Sequence, residues 1–384
     1  KFNKVHALEG MIGFNQENAT YKGVGLSRNN LIANDIPFLN LATGDRSTSD
    51  YMNQWAIRGA FFRLFYAYDD KYLVQVNGRY DGSSRFPKDD RFAFFPTFSL
   101  GWRLSQEKFW KPIAHIVNDF KIRGSYGDLG NQVLHQNGYA SYYPYISTYS
   151  TGEVGYLFNG EKQMGVYAPG LVSDQLTWET VKQWDLGFNI SMFDSKLTGE
   201  FDYYVRTTED MLTKSKTLPS ILGVSEPQMN AADLRTKGWE VALTWKSSLQ
   251  NGLAYSATLS LSDYQAEITK YDNPTKNLSD SYYEGKKLGE IWGFVTEGLF
   301  QSDEEASAWD QSKIVGFTQY AGDIKFADLD GDGKVTRGEN TVNNSGDLKV
   351  IGNETPRYNF GIRGTAEYKG FDFTLFFQGT MKRD

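Results

Sequence analysis

Cysteine is absent from the 384 residues, and histidine occurs only three times. Without cysteine the chain can form no disulfide, no zinc–thiolate site and no cysteine nucleophile. His6, His115 and His135 show no metal-ligand spacing, and no Gly-x-Ser-x-Gly nucleophile elbow occurs. The phrase Gly23-Val24-Gly25 lacks the third glycine of a dinucleotide-binding fingerprint. We therefore predict no catalytic residues, no catalytic cofactor and no enzyme activity.

The chain also lacks a long apolar run and an excess of positive charge. Its net charge is −7, which argues against a nucleic-acid partner. No run of 18 apolar residues is present, so no transmembrane helix is predicted. A membrane location stays open, because the strands of a transmembrane barrel place apolar residues only at every second position. The N-terminus carries no signal segment, and we expect any such segment to be cleaved or to lie upstream.

Aromatic residues make up 15% of the chain, and many of them lie in segments that alternate between apolar and polar residues. From Trp184 to Met192 the even positions are apolar, and the odd positions are polar or small. After the turn at 194–196, the alternation resumes, with Phe201 and Tyr203 opposed to Glu200 and Asp202. A period of two indicates a β-hairpin with one apolar and one charged face.

The same pattern recurs in roughly a dozen segments of about ten residues, the length that a tilted strand needs to cross a bilayer. Short turns at 194–196, 249–252 and 369–370 alternate with long excursions at 129–175, 206–234 and 301–355. Outer-membrane barrels have short periplasmic turns and long external loops. We therefore predict an all-β fold, part of a transmembrane antiparallel β-barrel, over a soluble β-sandwich or β-helix. One short helix is expected from Ser302 to about Gln311, where Ser302 and Glu305 form a capping box.

Several phrases, in order along the chain, resemble the SusC/RagA family of TonB-dependent outer-membrane transporters. They include Arg63–Leu73, Arg79–Phe86, Phe95–Ser105, Lys121–Asn131, Thr177–Glu179, Lys237–Glu240, Gly322–Phe326, Asp328–Val335 and Phe376–Gly379. The resemblance implies a multi-pass protein of the bacterial outer membrane, in contact with its lipid. It also implies that residues 1–384 are the C-terminal part of a barrel whose large plugged relatives have 22 strands, with the plug and N-terminal region absent.

The resemblance further implies an importer of nutrient oligomers, chiefly oligosaccharides and in some members peptides. A SusD-type surface lipoprotein would cover the barrel, and the TonB complex would supply energy through the missing N-terminal region. The alternative is a barrel that does not transport and instead serves as an adhesin or an assembly scaffold at the cell surface.

An acidic segment in the last excursion matches the loop of an EF-hand calcium site. Asp328, Asp330, Asp332 and Glu339 occupy the carboxylate positions of that pattern, with Gly333 at the position of the sharp turn. Calcium prefers six to eight oxygen ligands. We expect the carbonyl of Lys334 and the hydroxyl of Thr336, or a water bound to it, to complete the set. The alternative is an acidic turn without an ion.

Tyrosines crowd the segment 139–167, and Trp178 follows it. Flat aromatic rings with a polar edge suit sugar rings and peptide backbones. We therefore predict that this excursion contacts the substrate or the lipoprotein, through Tyr142, Tyr143, Tyr145, Tyr149 and Trp178. The alternative is that these rings pack the loop or lie at the membrane interface.

Overall fold

The computed structural model describes residues 2–3, 5–136, 139–173, 176–214, 218–224 and 226–383. Strands dominate these residues, as the alternating pattern predicts. In chain order they are β1 (His6–Arg28), β2 (Arg46–Tyr68), β3 (Tyr72–Ser83), β4 (Phe92–Arg103), β5 (Val117–Asn131), β6 (Leu134–Gln136), β7 (Tyr139–Ser141), β8 (Ser150–Phe158), β9 (Glu161–Tyr167), β10 (Glu179–Met192), β11 (Leu197–Lys214), β12 (Gln228–Ser248), β13 (Ala254–Lys270), β14 (Glu290–Phe294), β15 (Thr296–Leu299), β16 (Ile324–Phe326), β17 (Leu348–Asn353), β18 (Arg357–Tyr368) and β19 (Phe371–Lys382).

Eleven of these strands form one antiparallel sheet, in the order β1-β2-β3-β4-β5-β10-β11-β12-β13-β18-β19. Each strand pairs with the next one along the chain, once the small hairpins inside the long connections are set aside. The order is that of an up-and-down meander, the topology of outer-membrane barrels. Within the described residues, β1 and β19 each pair on one side only, so the sheet is a barrel segment with two edges.

The sheet has a polar face and an apolar face, because residues paired across antiparallel strands point to the same side. In the β10–β11 hairpin, Phe188 pairs with Phe201, and Asn189 pairs with Glu200. The structure therefore confirms the predicted two faces of this hairpin. The apolar face carries Leu186, Phe188, Ile190 and Phe201, and the polar face carries Asp185, Asn189, Glu200 and Asp202.

An ion-pair network covers the polar face at β5, β10 and β11. Both Arg123 terminal nitrogens lie 2.5 Å from the carboxylate oxygens of Asp202. Arg123 Nε donates to Asn189 Oδ1 at 3.1 Å, and Asp185 lies 3.7 Å from the same guanidinium. On the opposite face, the Phe188 ring lies 5.8 Å from Phe120 and 5.6 Å from Phe201, measured between ring centroids.

The aromatic residues near the end of β2 do not all lie on one face of the sheet. They are Phe61, Phe62, Phe65, Tyr66 and Tyr68. Phe62 pairs with Gly78 on the apolar face, whereas Phe61 pairs with Arg79, whose guanidinium lies 5.2 Å from the Phe61 ring centroid. Adjacent residues of an extended strand point to opposite faces. The run is therefore divided between the two sides of the sheet.

Most connections at one end of the sheet are tight turns, the exception being the β4–β5 connection at 104–116, and the longest connections are all at the other end. The β2–β3, β10–β11, β12–β13 and β18–β19 turns are the short ones, and they include the predicted turns at 194–196, 249–252 and 369–370. The opposite end carries the connections 29–45, 84–91, 132–178, 215–227 and 271–356. Residues 137–138, 174–175, 215–217 and 225 of these lie outside the described part of the chain.

The predicted excursion at 206–234 is largely strand. β11 extends to Lys214, and β12 begins at Gln228. The last excursion begins at 271 rather than 301 and contains the β14–β17 and β15–β16 pairs. Its one α-helix, α1 (Asp303–Ala308), starts at the predicted cap but ends earlier than Gln311. Ser302 Oγ accepts the N–H of Glu305, and the Glu305 carboxylate accepts the N–H of Gln301.

Within the residues described, none of the helices has the length and apolar character that crossing a bilayer requires.

Candidate functional site at the end of the sheet with long connections

Aromatic side chains of the 132–178 connection and of strands β1 and β2 meet at this end of the sheet. The Tyr142 ring lies 6.2 Å from the ring of Tyr21 on β1. Tyr145 donates its hydroxyl proton to the carbonyl oxygen of Ser84 at 3.3 Å, and its ring lies 6.3 Å from that of Tyr143. Three of the predicted contact residues are thus held together by the β1 strand and the β3–β4 connection.

Arg85 lies at the centre of this cluster, and the sequence-based prediction did not assign it a role. Its guanidinium carbon lies 5.2 Å from the Trp55 ring centroid and 5.3 Å from that of Tyr142. Stacking on both rings is the cation–π geometry. Arg85 is only 6% exposed, and its burial lowers the pKa of the guanidinium, an effect that Tyr142 and Tyr21 oppose.

Arg85 has no carboxylate within 4.0 Å among the described residues. Nη1 donates weakly to the carbonyl oxygen of Gln132 at 3.4 Å. The only sequence signal for this residue is its position in the phrase Arg79–Phe86, which resembles the transporter family but gives it no function. The structure shows that it connects the β3–β4 connection to the tyrosine-rich one.

Trp178 has a packing role in the structure, rather than the predicted role in direct contact. It is 4% exposed, and it forms a buried cluster with Phe86 and Phe95. Its ring lies 5.0 Å from Phe86, and Nε1 donates to the carbonyl oxygen of Arg91 at 3.1 Å. The apolar surroundings and the satisfied indole N–H explain why this ring anchors the end of the 132–178 connection and is closed to a ligand.

The remaining predicted ring, Tyr149, is 73% exposed just before the β8–β9 hairpin. It has no ring contact among the described residues. The 132–178 connection therefore has two parts: one packed onto the sheet through Tyr142, Tyr145 and Trp178, and one that projects into solvent.

The acidic segment forms a compact loop in the 271–356 connection. Carboxylate oxygens of Asp328, Asp330 and Asp332 lie within 4.8 Å of one another. Asp328 accepts the N–H groups of Gly331 and Gly333 at 2.7 and 2.8 Å. Gly331 and Gly333 have φ values of +78° and +83°, a backbone conformation that glycine adopts without strain. Three of the six predicted ligands are thus brought together around a tight turn.

The other three predicted ligands are arranged differently. Glu339 is not among the carboxylates that lie within 4.8 Å of one another. Its N–H donates to Asn344 O at 3.1 Å in a separate turn. That turn is held to residues 277–279 by the Leu278 N–H, which donates to Asn340 O. The Thr336 hydroxyl accepts from Gly338 N–H, and the Lys334 N–H donates to Asp332 Oδ1. The EF-hand spacing therefore does not give a complete EF-hand arrangement.

Asp347, which was not predicted, organises the acidic loop. Its side chain is fully buried, with 0% exposure. Oδ1 accepts the N–H of Leu329 at 2.5 Å, and Oδ2 accepts the N–H of Thr336 at 2.7 Å. Backbone donors stabilise a buried carboxylate, so Asp347 joins the two sides of the loop. No short motif marks this residue, because its partners are backbone groups.

The neighbouring carboxylates of the loop shift the pKa of Asp330. The N–H of Asp332 lowers the pKa of Asp330, but desolvation and the carboxylates of Asp332, Asp347 and Asp328 raise it, and the net direction is upward. Repulsion among neighbouring carboxylates has this effect. A bound cation would reverse the interaction.

A second cluster fixes the start of the same connection. Tyr283 donates its hydroxyl proton to Glu290, and Trp292 Nε1 donates to the same carboxylate oxygen at 2.7 Å. Burial, followed by this carboxylate, raises the pKa of Tyr283 to about 12. Tyr283 is thus kept neutral, and it ties the segment before β14 to the strand.

Comparison with known proteins assigns the family. The profile described as "TonB dependent receptor-like, beta-barrel" matches residues 2–380. The chain belongs to this family. Members of the family reside in the outer membrane, so we identify the apolar face as lipid-facing and the polar face as lumen-facing. The relatives found in these comparisons are named as receptors or transporters.

Among curated relatives, TonB-dependent receptor P3 of Formosa agariphila is 29% identical, over 98% of this chain and 37% of its own length. TonB-dependent receptor P26 of the same organism is 30% identical, over 91% of this chain and 34% of its own length. TonB-dependent receptor SusC of Bacteroides thetaiotaomicron is 24% identical, over 88% of this chain and 32% of its own length. The chain thus spans about a third of each of these relatives.

The fold also matches solved structures. The chain superposes on the RagAB peptide transporter with a TM-score of 0.74 and 20% identity, covering 98% of this chain and 39% of that one. The RagAB peptide importer in its "open-open" state gives a TM-score of 0.75 at 20% identity, covering 98% of this chain and 38% of that one. The barrel fold and the resemblance to the SusC/RagA family are therefore confirmed.

Proposed function

We propose that this chain is part of a TonB-dependent importer that carries nutrient oligomers across the bacterial outer membrane. The family assignment and the relatives named SusC and RagAB support import. Oligosaccharides are the substrates we favour. Peptides are the alternative, since RagAB is named a peptide transporter. A SusD-type lipoprotein would cover the barrel at the end with the long connections, and the TonB complex would supply the energy.

The observation that carries the proposal is the aromatic cluster at the mouth of the polar face. Trp55 and Tyr21 occur on strands whose register places both on the side of the lumen-facing Asn15 and Arg79. Tyr142 reaches over from the long connection to join them. Rings with polar edges, set beside a polar lumen, suit a ligand with both apolar faces and hydroxyl or amide groups.

The test uses the full-length protein in its source bacterium. Strains that lack the gene, or lack TonB, would be grown on a panel of oligosaccharides and on a peptide mixture as sole carbon source. We expect both strains to lose growth on the same substrate class and the tagged protein to co-purify a surface lipoprotein. Unchanged growth on every source, together with lost cell adhesion, would favour the adhesin or scaffold alternative.

We further propose that Asp328, Asp330 and Asp332 hold one divalent cation, calcium being the best match for oxygen ligands. The three carboxylates that approach within 4.8 Å of one another support this. Glu339 has no part in it. Backbone carbonyl groups and water would complete the coordination, and the ion would order the loop without taking part in transport chemistry. A site with so few protein ligands suits the weak affinity of extracellular calcium modules, about 10⁻⁴–10⁻³ M.

A further inference from the structure

The β4–β5 connection at 104–116 is longer than the tight turns at the same end of the sheet, and its middle is a 3₁₀ turn, Lys108–Ile113. Three residues complete one turn of such a helix, so side chains three positions apart lie on the same side. The three sides of the turn thus carry two cations, two apolar residues and two further apolar residues: Lys108 with Lys111, Phe109 with Pro112, and Trp110 with Ile113.

The turn folds over the lipid-facing side of the sheet. Trp110 stacks on Phe120, with ring centroids 5.4 Å apart and an angle of 5° between the ring planes. Phe120 pairs with Ile190 and contacts Phe188, so it belongs to the apolar face. Trp110 Nε1 donates to the carbonyl oxygen of Val117 at 3.0 Å. This hydrogen bond satisfies the indole N–H and holds the ring against the wall of the barrel.

Glu107, the residue before the turn, contacts the same face independently. Its carboxylate accepts the hydroxyl proton of Tyr72 at 2.7 Å and the indole N–H of Trp102 at 3.3 Å. Tyr72 pairs with Trp102, Trp102 pairs with Ile122, and Ile122 pairs with Phe188. Both rings therefore lie on the apolar face. Contacts on two sides of the turn place it against the outside of the barrel wall.

The surrounding aromatic residues mark the height of the turn. Tyr68, Tyr72, Trp102 and Trp245 lie at or near the ends of their strands on the apolar face. Tyrosine and tryptophan concentrate at the membrane–water interface, and the end of a barrel with the tight turns is periplasmic. Phe120 lies two residues beyond the β5 partner of Trp102, roughly 7 Å toward the periplasm at the rise of a strand. The turn is therefore at the level of the periplasmic leaflet's surface.

We propose that this turn inserts Phe109 and Ile113 into the periplasmic leaflet of the outer membrane. Phe109 is 62% exposed and Ile113 is also exposed, and both adjoin the lipid-facing surface that Trp110 covers. The leaflet is the apolar phase that continues from that surface. Interfacial segments bury an apolar side about 5–10 Å into the boundary between headgroups and acyl chains. Lys108 and Lys111 then face water and the headgroups, because the reverse orientation would place two ammonium groups in hydrocarbon.

The test uses bimane labels on single cysteines of the full-length protein, freed of any other cysteine and held in nanodiscs of phosphatidylethanolamine and phosphatidylglycerol. Phe109→Cys and Ile113→Cys are the test positions. Lys111→Cys, on the cationic side of the same turn, and Gln250→Cys, in the β12–β13 turn at the same end, are matched controls; all four side chains are exposed. A phospholipid with a nitroxide at the start of its acyl chain should quench the test labels at least about threefold more than the controls. Iodide in the buffer should show the opposite order.

Equal quenching at 109 and 111 by both reagents would overturn the proposal, because an amphipathic turn at the interface presents only one of these sides to lipid. A label at 109 that neither reagent reaches would assign this surface to another protein segment, and the lipid contact would be wrong. The readout contains no transport step, so either failure leaves the proposed import function untouched.

Discussion

Replacing Phe188 by arginine tests whether the apolar face of the sheet contacts lipid. It is the middle one of the five apolar residues that β10 presents between Trp184 and Met192, which places it near the midplane of the bilayer. An arginine at the midplane of a barrel's lipid face costs about 2–4 kcal/mol. The replacement also removes the ring contacts with Phe120 and Phe201, each contributing about 0.5–1.5 kcal/mol.

Three variants separate these effects. Phe188→Ala removes the rings alone, so the additional destabilisation in Phe188→Arg should be about 2–4 kcal/mol. Ala242→Arg is the matched control at the same height, because Ala242 pairs with Glu200 on the polar face. There the new cation meets water and a carboxylate, and we expect a change of about 0.5 kcal/mol or less.

The assay is denaturant unfolding of the full-length protein in lipid bilayers, followed by tryptophan fluorescence, with the level of each variant in the outer membrane as a second readout. If Phe188→Arg and Phe188→Ala unfold alike, or if Ala242→Arg is as damaging as Phe188→Arg, the assignment of the faces is wrong.

Three further predictions follow from the loops. Replacing Tyr142, Tyr143 and Tyr145 together by Ala should reduce uptake while leaving the stability of the barrel against unfolding unchanged. The control Tyr156→Ala, at a ring exposed to solvent, should change neither uptake nor stability. Equal uptake in both variants would leave the loop with a packing role. Removing calcium with a chelator should increase protease cleavage between residues 320 and 345, and Asp330→Asn should abolish the protection while Glu339→Gln preserves it; cleavage that is insensitive to calcium contradicts the ion site. The folded protein favours the neutral phenol of Tyr283. The contribution of this group to stability is therefore present below pH 10 and is lost as the pH rises through about 12. The tyrosinate absorbance difference between wild type and Tyr283→Phe should titrate near pH 12, and a midpoint at the ordinary value of 10.0 would contradict the prediction.

The strands inside the membrane could be predicted from the sequence, because lipid and lumen impose opposite polarity on alternate residues. Leu186 and Asp185 illustrate this alternation. Where strands leave the bilayer, both faces meet water and the alternation disappears. For that reason the segment around Thr207 and Thr208 reads as a loop, although backbone pairing continues to Lys214.

The candidate site was predicted less completely, because its determinants are contacts between distant segments. The spacing of Asp328, Asp330 and Asp332 along the chain is enough to bring them together. Glu339 lies outside this carboxylate group, and its backbone belongs to a turn held by residues 277–279. Trp178 was predicted to contact the substrate or the lipoprotein, with packing as the alternative, and the positions of Phe86 and Phe95 show that its ring is enclosed.

This sheet crosses the outer membrane with its apolar face toward lipid and its polar face toward an aqueous lumen. Single cysteines can be placed at Leu186, Phe188 and Ile190 and at Gly187, Asn189 and Ser191, in a full-length protein from which any cysteine outside these residues has been removed, and probed in intact outer membranes; residues 1–384 contribute none of their own. A lipid-soluble maleimide should label the first three, and a water-soluble one the second three. Equal labelling of adjacent positions by both reagents would contradict the account.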